Sequence, residues 1–266
     1  MTTQDAPYSE QFRRTELMLG RDGLDRLRSS CVLIVGLGAV GGYVVEALAR
    51  AGVERFRLVD FDVVQESNLN RQLFATRATV GRLKIDAARE RIALINPRAD
   101  VETRALLVNS QTLDHIFSDE WASPPDYVVD AIDSLGPKVA LISEVVKRGL
   151  PLMASMGAAL RFDASIVQVG SLDKVTNCPL AAQLRKRLRR VGTDPAQVRC
   201  VFSPEAVRKN GEQEFLERTP EKKEEQATPD VPPGRARNTL GSLPTIVGIF
   251  GLRIAHEVML DLSGRR

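Results

Sequence analysis

Histidine is nearly absent from this chain: His115 and His256 are its only two, and neither lies in a recognisable motif. Histidine general-base chemistry, including a Ser-His-Asp relay, therefore has no residues to run on. Cysteine is scarce as well, at Cys31, Cys178 and Cys200. An odd number of widely spaced cysteines with no C-x-x-C pair supports neither a disulfide framework nor a structural zinc site, and a reducing cytoplasm fits best. Charge of one sign is also lacking, since a net +3 is too small to establish a nucleic-acid partner. No long apolar run is present. The stretch from Leu243 to Leu262 begins apolar but takes in Arg253, His256, Glu257 and Asp261, short of the ~20 apolar residues of a membrane span. It reads as a buried helix starting near Pro244, and membrane association is not expected. The polar N-terminus has no apolar run ahead of a small-residue cleavage site, which argues against secretion.

What is present is an ordinary globular composition, 43% hydrophobic and 27% charged over 266 residues. Residues 1–29 read as an N-terminal helical arm carrying Phe12, Leu17, Met18, Leu19, Leu24 and Leu27. Strand-like runs then fall near 31–36, 55–60, 100–107, 126–131 and 151–155, separated by helical periodicity near 39–51, 80–95, 110–117 and 137–149. Strands spaced by helix-length segments imply right-handed βαβ units. The expected fold class is α/β: a Rossmann-like, mostly parallel sheet flanked by helices over 30–157, with a smaller C-terminal α+β extension over 158–266. In that extension the alternation of Ser165–Gly170 suggests a strand outside the parallel core, and a helix runs from Pro179 to about Arg190. Residues 208–238, rich in Glu, Lys and Pro with almost no large apolar side chains, have the composition of a loop.

The first strand ends in Gly36-Leu-Gly38-Ala-Val-Gly41, a G-x-G-x-x-G run that opens a helix. In that context Gly36 permits a tight turn, Gly38 admits a phosphate to the backbone, and Gly41 lets helix and strand pack closely, so the helix N-terminus meets the anion. Asp60 or Asp62, about 20 residues on, is placed to hydrogen-bond ribose hydroxyls. Asn68, Arg71, Gln72 and Lys84 then crowd the edge just past the second strand. Hydride transfer has no general need of two fixed cations and two amides there. A triphosphate does, because its charge must be neutralised before a carboxylate can approach the α-phosphorus. The pattern points to ATP rather than a dinucleotide.

Together with Asp60-Phe-Asp62, Ser67-Asn-Leu-Asn-Arg-Gln72, Val80-Gly-Arg-Leu-Lys84, Ile95-Asn-Pro97 and Asp130-Ala-Ile-Asp133, the glycine loop resembles the adenylation domain of the ubiquitin-activating-enzyme-like (ThiF, MoeB, HesA) superfamily over about residues 8–170. Asp130-Ala-Ile-Asp-Ser134, Pro179-Leu-Ala-Ala-Gln-Leu-Arg185 and Cys200-Val-Phe-Ser203 resemble its tRNA threonylcarbamoyladenosine dehydratase branch and extend the likeness to the C-terminal helix. The resemblance implies Asp62 at the ribose, Asn68, Arg71, Gln72 and Lys84 around the triphosphate, and Asp133 binding Mg²⁺ or the substrate-side phosphate. It also implies that Arg14, or the adjacent Arg13, reaches the γ-phosphate from a neighbouring subunit of a homodimer. Cys200 reads either as a reactive thiol, as cysteines are in parts of the superfamily, or as a small buried residue in a strand-like run.

The implied reaction is adenylation of the threonyl carboxylate of threonylcarbamoyladenosine in the tRNA anticodon loop. Cyclisation then releases AMP, with net loss of water. A cysteine-desulfurase sulfur-shuttle system is an implied partner. The alternative is activation of the C-terminal glycine of a ubiquitin-like sulfur carrier, although bacterial members of that branch carry zinc C-x-x-C pairs absent here. For tRNA, the run Arg185, Lys186, Arg187, Arg189 and Arg190 is the electrostatic footprint, with Arg199, Arg208, Lys209, Arg235 and Arg237 beside it in the sequence. Two departures stand: Gly38-Ala39 replaces the usual glycine pair in the phosphate loop, and the stretch from Arg208 to Asn238 is unlike the branch in detail.

Overall fold

The computed structural model describes residues 6–118, 121–207 and 240–266. The apolar runs became strands because they can be buried on both faces. β1 (Cys31–Val35) is buried at all five positions and pairs in parallel with β2 (Arg55–Val59) and β4 (Tyr127–Asp130). β3 (Asp100–Arg104) joins β2, and β5 (Leu152–Ser155) joins β4, both in parallel. β7 (Arg199–Phe202) continues the sheet parallel to β5, and β6 (Gln168–Ser171) closes it as an antiparallel edge, giving the order β3-β2-β1-β4-β5-β7-β6. The strand expected outside the parallel core is thus the edge of the same sheet.

The period of two divides the core. Val32 and Ile34 face one cluster, against α3 (Gly41–Ala51), α4 (Lys84–Ile95) and the C-terminal helix α8 (Pro244–Ser263). Leu33 and Val35 face the other, against α6 (Leu135–Lys147) and α7 (Pro179–Arg190). Ahead of the sheet lie α1 (Ala6–Leu19) and α2 (Arg21–Ser29), and the helix expected over 110–117 is a single turn, α5 (Leu113–Ile116). The helix expected from residue 80 starts at Lys84, because Gly81 and Arg82 exchange backbone hydrogen bonds with Val64 instead.

α8 begins at Pro244 as expected, and among the described residues no helix is long and apolar enough to cross a membrane. Its polar groups fasten it to the sheet. Arg199 on β7 reaches Glu257 at 2.9 Å and Asp261 at 2.6 Å, and the Tyr127 hydroxyl donates to Asp261 at 2.8 Å.

Candidate active site

Four loops leave the carboxyl ends of β1, β2, β4 and β5 on one edge of the sheet, where ligands of such sheets bind. Gly36 adopts φ +94°, and a Cβ there would stand 2.8 Å from the Ala131 carbonyl oxygen. At Gly41 a Cβ would fall 1.9 Å from the carbonyl oxygen of Gly36. These two glycines are demanded by the turn itself. Gly38 is different: its nearest neighbour in that direction is the Gln72 amide nitrogen at 3.9 Å, so the space above it is open to a ligand. No side chain caps α3 at Val40; the Gly42 N–H turns back to the Gly38 carbonyl and the Tyr43 N–H to the Val40 carbonyl, both at 3.1 Å, so the positive end of the helix dipole lies at the glycine loop.

The two aspartates after β2 do different work. Asp60 is buried, and its carboxylate accepts from the Leu37 N–H at 2.6 Å and the Asp62 N–H at 2.8 Å, so it ties the glycine loop to the β2 loop. Burial pushes its carboxyl above the usual range, against the pull of Lys84. Asp62 keeps an open carboxylate, paired with Lys84 Nζ at 2.8 Å. Lys84 is only 5% exposed, and its own N–H bonds the Asp62 carbonyl at 3.0 Å.

Asn68 is buried and accepts from the Gln65 N–H at 3.1 Å, shaping the 3-10 turn Glu66–Asn68. That turn presents Arg71, whose guanidinium donates to the Ser67 carbonyl and the Asn70 side chain, both at 2.8 Å. Asn70 in turn reaches the Ser242 carbonyl at 3.4 Å. Gly38 and Gln72 thus flank the open space, Asp62 and Lys84 form one pair after β2, and Arg71 is held by the turn that follows, whereas Gly36 and Gly41 close the glycine turn and Asp60 and Asn68 hold the surrounding loops.

Asp133, exposed at the end of the β4 loop, accepts from the Ser134 hydroxyl at 3.1 Å. Sequence reasoning missed the device beneath it. Lys138, fully buried, lies 2.8 Å from Asp130 and donates to the Ile132 carbonyl at 2.9 Å, while the Ile132 N–H bonds Asp130 at 3.1 Å. Burial pushes the Asp130 carboxyl upward while the lysine pulls it down. The signal in the sequence was a lysine between Pro137 and Val139 in the otherwise apolar first half of α6.

A second missed cluster shapes the β5 loop. Arg161, 2% exposed, donates to the carbonyls of Glu205 and of Asn177, the latter at 2.7 Å. The Glu205 carboxylate accepts from the N–H groups of Phe162 at 2.9 Å and Asp163 at 3.0 Å.

The remaining candidates lie apart. Arg14 is exposed on α1, and Arg13 pairs loosely with Glu10 at 3.7 Å. Cys200 is fully buried in β7, and desolvation pushes its thiol up to about 12. Its side chain packs within the core cluster under α6 and α7. Cys178 sits at the start of α7, its sulfur accepting weakly from the Ala181 N–H at 3.5 Å. Arg185 turns inward, donating to the carbonyls of Leu172 at 3.2 Å and Val175 at 2.7 Å. Lys186, Arg187, Arg189 and Arg190 are exposed and run along α7 away from the site edge, toward the contact of Thr193 with Ser143 at 3.1 Å. Arg208, Lys209, Arg235, Arg237 and the loop expected over 208–238 lie outside the described residues, apart from Leu240 onward. A cavity of about 950 Å³ between α6 and residues 107–113 is mostly apolar, and its charged pair Glu144 and Lys147 face each other at 3.7 Å; the site is assigned by chemistry, not by size.

Comparison with known proteins is consistent with this geometry. The chain matches the ThiF family model over residues 8–266. It is 40% identical over 196 residues, 74% of this chain and 75% of the relative, to the tRNA threonylcarbamoyladenosine dehydratase of Bacillus subtilis (strain 168). The crystal structure of E. coli tRNA N6-threonylcarbamoyladenosine dehydratase, TcdA, in complex with AMP aligns with a TM-score of 0.82 at 28% identity, covering 100% of this chain and 99% of that one. The same enzyme in complex with ATP aligns at 0.79 with 29% identity, both chains covered at 100%.

Proposed function

Since the chain belongs to the ThiF family, we propose that it carries out ATP-dependent dehydration of threonylcarbamoyladenosine in tRNA. The observation that carries this reading is that the start of α3, the Asp62–Lys84 pair, Arg71 and Asp133 all follow the carboxyl ends of the neighbouring strands β1, β2 and β4. Asp62 binds the ribose hydroxyls. The glycine loop and the positive end of the α3 dipole take the phosphates, with Arg71 and Gln72 flanking them. A carboxylate is already ionised at neutral pH, so the chain needs no base to activate it; its residues need only align it with the α-phosphorus and offset the added charge.

Attack by the threonyl carboxylate oxygen forms the acyl adenylate and releases pyrophosphate. A nucleophilic atom of the carbamoyl group of the same nucleoside then attacks the activated carbonyl. The ring closes, AMP leaves, and one water is lost overall from the nucleoside. No enzyme nucleophile is required, which agrees with a protonated Cys200 and two remote histidines. Asp133 offers a single exposed carboxylate, and no group of three or more metal-ligating side chains occurs among the described residues. That donor set fits Mg²⁺, which takes one or two carboxylates and otherwise phosphate oxygens and water; when bound it would neutralise the departing pyrophosphate.

Arg14 is assigned to the γ-phosphate of a neighbouring subunit. Leu17 and Met18 on the same helix, 76% and 77% exposed, are the apolar contact that would hold the two chains together. Exposed Lys186, Arg187, Arg189 and Arg190 bind the tRNA backbone beyond the anticodon loop. A cytoplasmic setting follows from a tRNA substrate and three free cysteines.

The test is pyrophosphate release by the purified chain with tRNA carrying threonylcarbamoyladenosine, followed by mass spectrometry of the nucleosides. Loss of one water from the modified nucleoside is expected. Pyrophosphate release only with a carrier protein ending in Gly-Gly would replace this reading with the carrier-activating one.

A further inference from the structure

Phe162 is the one exposed aromatic side chain among the described residues, at 73% exposure. It stands on the loop that leaves β5, on the edge where the site lies. In the strand order the glycine loop follows β1, Asp133 follows β4, and Phe162 follows β5, so at ~4.8 Å per strand its loop emerges roughly 10 Å along the edge from the phosphate site.

The loop is built to hold its backbone still. Glu205 fixes the N–H groups of Phe162 and Asp163. Arg161 anchors beneath them, and Asp163 closes a turn onto Ser165 at 2.9 Å. Among the described residues the only non-glycines with positive φ are Leu160 at 59° and Asn177 at 54°. Both belong to this clamp: Leu160 directly precedes Arg161 and bonds the Gly241 carbonyl at 2.9 Å, and Asn177 receives the guanidinium and donates to the Pro204 carbonyl at 2.7 Å. Strained backbone persists only where surrounding structure enforces it, and it concentrates at ligand clamps. Here the strain and the buried arginine serve to present one phenyl ring to solvent, which packing has no use for.

We propose that Phe162 is a stacking platform for a nucleobase of the RNA substrate next to the modified nucleoside. This rests on the function proposed above. The phenyl face takes a base splayed from the single-stranded anticodon loop, and ordering costs little because the clamp is already formed. Arg161, Asn177 and Glu205 are positioning residues, since they act through the loop and not on the base.

The experiment compares wild type with Phe162→Trp, Phe162→Leu and Phe162→Ala for binding of an anticodon stem-loop RNA at fixed salt, with ATP affinity and Tm measured in parallel. Base stacking predicts a loss of roughly 5- to 150-fold for Phe162→Ala. Phe162→Leu should lose nearly as much because it keeps apolarity without a π face, while Phe162→Trp stays within about threefold of wild type. ATP affinity, Tm and the salt dependence of RNA binding should not move. RNA affinity unchanged in Phe162→Ala, or kept in Phe162→Leu, overturns the proposal, as does a loss that tracks ATP affinity or Tm. If RNA binding is intact in Phe162→Ala but proteolytic cleavage between Val207 and Leu240 accelerates, the ring serves the chain itself and the proposal also fails. Turnover by the wild type on modified tRNA reports separately on the underlying function, so the two failures are distinguishable.

Discussion

Lys84 Nζ lies 2.8 Å from the Asp62 carboxylate, with the lysine almost wholly buried and the aspartate side chain 42% exposed. That asymmetry orients the pair: the cation is fixed at the start of α4, and the carboxylate is held out toward the space above Gly38. Removing the cation should disorganise the carboxylate as well as lose charge beside the phosphates. Lys84→Met is expected to lower ATP–pyrophosphate exchange by on the order of 10²- to 10³-fold. Asp62→Asn should act mainly on the KM for ATP, raising it roughly tenfold as one charge-assisted hydrogen bond to ribose is weakened. The double variant should fall short of the product of the two losses, because each single change already breaks the same pair. Multiplicative losses in exchange kinetics would show that the two side chains act independently.

Beneath Asp133 the fully buried Lys138 and Asp130 depend on one another. Lys138→Met strands a buried carboxylate whose pKa burial already drives upward, and a destabilisation of about 3–5 kcal/mol is expected from guanidinium unfolding. Pairing Lys138→Met with Asp130→Leu removes the stranded charge and should recover most of the stability. It should not recover activity, because the Ile132 backbone is then unsupported and Asp133 misplaced. Full turnover in the double variant would show that the pair serves stability alone.

Cys200 gives a pH prediction with a definite sign. The unfolded thiol ionises near 9, the folded one near 12. Its contribution to stability is therefore whole below pH 9 and is lost as pH rises from there toward 12. Tyr127, pushed upward by burial and by Asp261, acts in the same direction. Thermal unfolding should show Tm declining above pH 9, with a shallower decline in Cys200→Ala. The same variant should keep turnover within about twofold of wild type, at a cost of roughly 1–2 kcal/mol of stability for the cavity. Loss of turnover with the fold intact would restore the thiol as a reactant.

The sequence made the central parallel strands legible because they are short runs buried on both faces, unlike the half-exposed edge strand β3, and the glycine loop because the turn excludes any side chain at Gly36 and Gly41. Spacing alone could not separate Asp60 from Asp62; only the family resemblance favoured Asp62 at the ribose. Both are acids at the same strand end, and only the Leu37 N–H, brought back by the fold, commits the first to structure. Lys138 carried no signal of its partner, because only the fold places Asp130 against it. The clamp of Arg161, Asn177 and Glu205 was invisible for the same reason: its partners lie 16 and 44 residues apart and make no periodic pattern. The five-cation run divided because a helix turns its residues about its axis, so Arg185 faced inward while its neighbours stayed in solvent.

Arg14 stands on a helix with no assigned place in its own chain's site, so its role is decided by which chain's triphosphate it meets. If it acts across a dimer, each site is completed by Lys84 of one chain and Arg14 of the other. Arg14→Ala and Lys84→Met chains, each inactive alone, should then complement when mixed and refolded. A mixed dimer has one site with both residues intact and one with neither. Random pairing makes half of the dimers mixed, so pyrophosphate release should recover to about a quarter of wild type. If Arg14 served its own chain, every site would carry one lesion or the other, and the mixture would stay as inactive as its parts.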